Sequence, residues 1–214
     1  MAPKTYSQRF LISLCLLLIA GSVFQPSVVS AAPISAGSAL PDLRNFASSL
    51  KNGNGNTLRG AYANGLFAFP VIQQPSSNAG FVSTTDNTLT QFSMASQFGN
   101  VGLLAHDNLT GQYFSQLVVG QSIQLVYGDG HIEYFRVSQV NSYQAVSPSS
   151  VNSDFIDLHT QEYLSANTLF VRVYAGSRHV TFQTCILKNG NPSWGRLFIL
   201  AEPEAAPSPS ILSN

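Results

Sequence analysis

A thiol nucleophile needs a neighbour that takes or holds its proton, and something positive or hydrogen-bond-donating where a tetrahedral oxyanion forms. The sequence contains two cysteines. Cys15 lies inside an apolar N-terminal stretch directly after Leu14 and reads as apolar filler. That leaves Cys185, which has no second cysteine to pair with and so needs another reason to be carried. A buried inert thiol in a strand is the plain reading, and a nucleophile is the pointed one.

Four histidines compete to serve that thiol. His179 precedes Cys185 by six residues in one extended run, which at about 3.3 Å per residue puts the two roughly 20 Å apart. It is out of reach. His131 falls in Tyr127-Gly128-Asp129-Gly130-His131, a turn signal, where an exposed residue is expected. His106 follows the apolar run Val101-Gly102-Leu103-Leu104-Ala105 and precedes Asp107-Asn108, at the end of a buried strand where a polar loop begins. His159 belongs to a longer polar loop with no comparable scaffold. Position favours His106, with a plain surface role open for either residue.

Arg196 is the candidate for the positive partner. Cys185 to Gly195 runs from a strand through the turn-rich Lys188-Asn189-Gly190-Asn191-Pro192-Ser193, and an antiparallel return of that length brings Arg196 back to the level of Cys185. There it could donate to a carbonyl oxygen or a substrate carboxylate, the alternative being a rim arginine in a surface pair. Arg136, Arg172 and Arg178 are read as surface residues.

Short apolar or alternating runs predict the strands that must hold these groups: Leu66–Ile72, Val101–Ala105, Ser122–Tyr127, Ile132–Val140, Leu169–Tyr174, Val180–Ile186 and Arg196–Ala201. The span 122–140 reads as a hairpin. Helices are expected over Pro41–Leu50, Thr88–Phe98 and Ser165–Phe170. Many short strands joined by tight turns point to a mainly β barrel or sandwich.

The chain has 214 residues, 44% apolar and only 9% charged, enough for one domain with a real core. Ten basic and ten acidic side chains cancel, with no basic run to meet a row of phosphates, so nucleic acid is a poor partner. Residues 1–32 have the parts of a secretory signal: Lys4 and Arg9, an apolar stretch from Phe10, and the small residues Ser30-Ala31-Ala32. Cleavage after Ala31 or Ala32 is expected, an uncleaved membrane anchor being the alternative. Residues 33–60 read as a flexible segment, 61–203 as the β domain and 204–214 as a disordered Pro-rich tail. The scattered His and Cys show no metal-ligand spacing, and no cofactor is implied.

The segment Val180-Thr181-Phe182-Gln183-Thr184-Cys185 resembles the sortase signature Thr-Leu-x-Thr-Cys, with Phe182 in the Leu place. The order His, Cys, Arg is similar too, as is the stretch from Leu103-Leu104-Ala105-His106 through Tyr113-Phe114 to Gly120-Gln121-Ser122-Ile123. The resemblance covers about residues 66–203. It implies a closed eight-stranded β-barrel with one or two short helices. It also implies a catalytic set of His106, Cys185 and Arg196, with Thr184 on the substrate side. Sortases cleave a Leu-Pro-x-Thr-Gly-type sorting signal of an exported protein, hold the product as a thioester and pass it to an amine on a cell-wall or pilin acceptor. Water resolves the thioester when no amine comes. The resemblance thus implies an exported, cell-surface enzyme that meets the membrane only through its leader. Two departures stand out: Asp107 follows the histidine where the family often has Asn or Arg, and the loop from about Val146 to Ala166 matches no one subclass. The second reading is a sortase-fold module for binding or assembly whose site is dormant. Papain-like peptidases place Cys before His, and L,D-transpeptidases carry a Ser-His-Gly-Cys cluster that is missing here.

Overall fold

The computed structural model describes residues 40–150 and 152–207. The leader read at 1–32 and the tail from Ser208 onward lie outside the described residues. Strands follow the chain as β1 (Leu58–Ala63), β2 (Phe67–Gln73), β3 (Leu89–Phe92), β4 (Val101–Leu104), β5 (Ser122–Tyr127) and β6 (Ile132–Ala145). They continue as β7 (Phe155–Asp157), β8 (Tyr163–Leu164), β9 (Val180–Lys188) and β10 (Asn191–Pro203). Neighbours run in the order β10-β9-β4-β3-β2-β1-β5-β6, and β6 pairs back onto β10. The ring is therefore a closed barrel of eight strands, as expected, with the short strands β7 and β8 added on the far side of β6. Closure leaves no free edge in the ring. Pairings are antiparallel except β2–β3 and β4–β9.

Alternation along each strand explains which side faces in. Phe67, Phe69 and Val71 on β2, Ile123 and Leu125 on β5, and Phe135 and Val137 on β6 share the interior cluster with Val180, Phe182, Leu197, Ile199 and Ala201. Positions two apart share a face of a strand, so these residues sum into one core. Phe182 is wholly buried, with Phe114 and Phe67 edge-on to its ring. A side chain of that size in such a place contributes about 3 kcal/mol.

A second cluster lies outside the barrel wall, where Tyr143, Phe198 and Leu200 pack against Leu169, Val173 and Tyr174 of the helix α2 (Ala166–Tyr174). This corrects the strand expected at Leu169–Tyr174. The run is apolar and β-branched, but Ser165 caps it by accepting from Thr168 N–H, and Leu169 and Val173 fall four apart on one buried face. The expected helix at Thr88–Phe98 is likewise split into β3 and a 3-10 segment, Ser93–Phe98.

Of the segment read as flexible over 33–60, residues 40–60 are described, and they hold the helix expected within Pro41–Leu50 and the start of a strand. Helix α1 (Leu43–Ser49) is capped by Asp42, and its Phe46 and Ala47 bury against Tyr62 and Val126. β1, which starts at Leu58 inside that segment, pairs on both sides, with β2 and β5. The small residues Gly60, Ala61 and Ala63 hid a strand from hydrophobic patterning because its neighbours supply the bulk. The hairpin over 122–140 is present as β5 and β6, with Gly130 at φ 94° in its turn. No described helix is long and apolar enough to cross a membrane.

Candidate functional site around Cys185

Strand β9 sets the site because it has neighbours of two kinds. On one side β10 returns antiparallel through a tight turn in which Asn189 and Gly190 both take positive φ, 52° and 76°, as a two-residue hairpin turn with matching twist requires. The ladder pairs Lys188 with Asn191, breaks at an irregularity that absorbs two extra residues of β10, and resumes with Gly195 opposite Ile186. Lys188 Nζ lies 4.3 Å from the centroid of the Trp194 ring within that irregularity. Two is an even number, so the in-out alternation of β10 survives. Those two extra residues put Arg196, rather than Trp194, directly opposite Cys185.

On the other side β4 runs parallel to β9, pairing Leu103 with Phe182 and Leu104 with Gln183. Ala105 N–H donates to Gln183 O at 3.3 Å, and the Thr184 hydroxyl donates to Ala105 O at 2.9 Å. The strand ends at Leu104, and His106 lies two residues beyond it, at the start of the turn that follows. Phe182 and Leu197 face the interior, so Cys185 and Arg196, one position along, lie on the outer face. The same row continues through Tyr143 on β6, opposite Arg196, to Asp157 on β7.

The backbone at His106 is held by a turn. Its carbonyl accepts from Leu109 N–H at 3.1 Å and from Gly111 N–H at 2.8 Å. Gly111 opens the 3-10 segment Thr110–Gln116 at its second residue and approaches so closely that a Cβ there would stand 2.3 Å from Thr184 Oγ1 and 2.6 Å from His106 O. Only glycine allows this contact. The segment that follows β4 is thereby packed onto β9 beside the thiol.

Cys185 is half-buried and forms one wall of a cleft of about 350 Å³. Asp107, Asn108, Gln112 and Ser115 line it from the turn side, Thr184 and Leu197 from the strands. Burial pushes the thiol above its ordinary value; the Arg196 charge pulls it back down, and the Asp107 carboxylate pushes it further up. Among the described residues no hydrogen bond joins Cys185 to His106. The Arg196 guanidinium donates to Gly195 O at 2.8 Å and to Ser193 O at 3.3 Å, both on its own strand.

The other histidines stand where the sequence placed them. His131 stacks on Tyr127 with ring centroids 4.1 Å apart at the exposed hairpin turn. His159 lies exposed in the β7–β8 loop, its N–H on Asp157 Oδ1. His179 is buried, its two ring nitrogens 2.7 Å and 3.0 Å from the carbonyl oxygens of Ser177 and Val173, away from the thiol. Asp107 is the site residue that reading by type undervalued. Its only signal was adjacency to His106, and its place opposite Cys185 depends on the turn that Gly111 closes.

No protein-family model matches the sequence, and no curated protein matches it. Solved structures similar to this chain include sortase C1 of Streptococcus agalactiae in complex with MTSET, at 14% identity over 75% of each chain with a TM-score of 0.45. Sortase C-1 of Actinomyces oris is 12% identical over 78% of this chain and 82% of that one, with a TM-score of 0.47. A Clostridium perfringens sortase D5 transpeptidase is 14% identical over 75% and 88%, with a TM-score of 0.44. The barrel rests on its own strand pairings.

Proposed function

We propose that this chain is a sortase-type cysteine transpeptidase acting outside the cytoplasm, with Cys185 as nucleophile, His106 as proton donor and acceptor, and Arg196 as support for the oxyanion. The observation that carries the reading is the three-strand register. One thiol has an arginine directly opposite on β10, and a histidine follows two residues after the end of the other neighbouring strand, β4. In the first half-reaction the Cys185 thiolate attacks the carbonyl carbon of a Leu-Pro-x-Thr-Gly-like signal. The C–N bond then breaks, His106 protonates the departing amine, and a thioester is left. In the second, an amine on a wall or pilin acceptor attacks the thioester carbon, gives a proton to His106 and restores the thiolate. Arg196 lies close enough to oppose the rise that burial imposes on the thiol, and the same charge would support a developing oxyanion. Thr184 contributes to the substrate side through the wall it shares with Cys185. The leader read at 1–32 would deliver the protein to the cell surface, held there if uncleaved.

The dormant-module reading has two observations in its favour: the Arg196 guanidinium is engaged with carbonyls of its own strand, and among the described residues His106 neither bonds Cys185 nor lines its cleft. One experiment separates the two readings. The chain is incubated with a quenched Leu-Pro-x-Thr-Gly peptide library, and the covalent adduct on Cys185 is sought by intact mass spectrometry. The transpeptidase reading expects a thioester adduct and cleavage, both lost in Cys185→Ala. Turnover that persists in Cys185→Ala, or the lack of any adduct in the parent protein, overturns it.

A further inference from the structure

The cleft beside Cys185 is asymmetric in charge. Its strand-side wall is built from Ile186 and Leu187 of β9 and Leu197 of β10, and Arg196 is not part of the lining. Its wall toward the β4 turn carries Asp107, flanked by the neutral amides of Asn108 and Gln112 and the hydroxyl of Ser115. Among the described residues, Asp107 is the one carboxylate of this cleft, and no lysine, arginine or histidine lines it. Nor does Asp107 take part in any ion pair there, unlike Glu133, Glu162 and Glu204, each of which holds an arginine. A half-buried carboxylate without a cation, facing an open cleft next to a nucleophilic sulfur, attracts a cation to that place.

We propose that Asp107 is a specificity-determining residue for the second substrate, holding a primary ammonium group in the cleft next to the thioester on Cys185. This rests on the transpeptidase reading and adds to it a side of approach and a charge. The acyl group lies along the outer row toward Arg196, and the acceptor comes from the opposite flank, through the turn that Gly111 closes. In the step itself the bound ammonium releases one proton through Asp107 to water and becomes a neutral amine. Its nitrogen attacks the thioester carbon, the C–N bond forms and the C–S bond breaks, and sulfur leaves with the bonding pair as the Cys185 thiolate. The remaining excess proton on nitrogen passes to His106. Carboxylate-bearing or uncharged nucleophiles gain nothing from Asp107, so the residue selects among acceptors without forming a bond to them.

The test uses the full chain and its Asp107→Asn variant, which keeps side-chain size and removes the charge. The acyl-enzyme is offered glycinamide, a cation in neutral solution, together with hydroxylamine, which is uncharged there. Both products come from one thioester, so their ratio is independent of how fast it forms. Asp107→Asn is expected to lower the ratio of glycinamide product to hydroxamate about tenfold, through the KM for glycinamide. An unchanged ratio overturns the proposal. A second measurement does not depend on turnover: Cys185 is labelled with a trimethylammonium and with a sulfonate methanethiosulfonate, and the ratio of the two rates is taken so that thiolate content cancels. The variant should lower the cation-to-anion ratio about fivefold. A fall in the labelling ratio with no thioester formed by the parent protein defeats the transpeptidase reading, and the acceptor assignment with it. A labelling ratio that does not move defeats the Asp107 assignment alone.

Discussion

The two flanks of β9 hold their functional residues by different means. On the β10 flank, Arg196 belongs to an antiparallel ladder that starts from a two-residue turn, resumes at Gly195 after an irregularity, and is backed on its other side by β6, where Arg196 meets Tyr143. On the β4 flank, the ladder is parallel, ends at Leu104, and leaves His106 and Asp107 to a turn fastened by a few hydrogen bonds. Parallel pairing is slightly weaker per residue, and a turn has few neighbours to hold it. The Arg196 side is thus set by a sheet, and the side of His106 and Asp107 by a latch.

Each flank contains a glycine that a methyl group would displace, and the pair breaks the comparison if the flanks are in fact alike. A Cβ on Gly195 would sit 2.4 Å from the Tyr143 carbonyl, in a sheet with no slack. Gly195→Ala should therefore cost about 3 kcal/mol in urea unfolding, while the fraction that remains folded still forms the acyl-enzyme. Gly111→Ala, whose Cβ meets Thr184 Oγ1 and His106 O, can relieve itself by lifting the turn. Its expected stability cost is smaller, about 1 kcal/mol, but acylation should slow by about 100-fold, because a shift of about 1 Å in a proton-transfer group suffices for that. Equal losses of stability in the two variants would show that the turn is as rigid as the sheet.

The same contrast explains what the sequence made legible. Arg196 could be placed near the level of Cys185 from local residues, because a turn-rich stretch follows Cys185 and a hairpin partner follows from chain proximity. Unbroken pairing from the turn would set Trp194 opposite Cys185; the two extra residues of β10 move Arg196 there, and being even in number they leave the alternation of faces intact. His106 was a choice by position, as nothing local says that a strand 79 residues earlier pairs beside β9. Strand runs and turns left a barrel or a sandwich open, and the closed eight-stranded barrel was implied by the family resemblance, whereas β1 was hidden by its small residues and α2 was mistaken for a strand by its β-branched run. Parallel pairing and packing by glycine leave no short-range pattern, which is why Asp107 and Gly111 gained meaning only in three dimensions.

A smaller effect tests the latch from the strand side. Thr184 and Leu197 face each other across β9 and β10, but only Thr184 reaches toward β4, through its hydroxyl on Ala105 O. Thr184→Val keeps the volume and leaves that carbonyl without its donor. The expected cost is about 1 kcal/mol, read as a lower urea midpoint with an unchanged slope. The change should also increase hydrogen exchange at Leu109 and Gly111, whose N–H groups close on His106 O. Exchange that rises equally along β10 would mean that the two flanks are not independent.

The smallest change lies in the thiol itself, on which the flanks act with opposite sign. Burial raises Cys185 whichever flank is altered, while Arg196 lowers it and Asp107 raises it. Removing the positive charge in Arg196→Gln should move the midpoint of iodoacetamide alkylation to higher pH. Removing the negative charge in Asp107→Asn should move it to lower pH. Iodoacetamide is uncharged, so its rate follows the thiolate fraction rather than attraction of the reagent. Both profiles should still rise as pH increases, because in each variant the thiol remains the form that burial favours. The double variant should fall between the two single ones, since the charges reach the sulfur from opposite sides through separate strands. Midpoints that move in the same direction would show that at least one of the two charges does not act on the sulfur, and with it the opposed action of the two flanks on the thiol would fall.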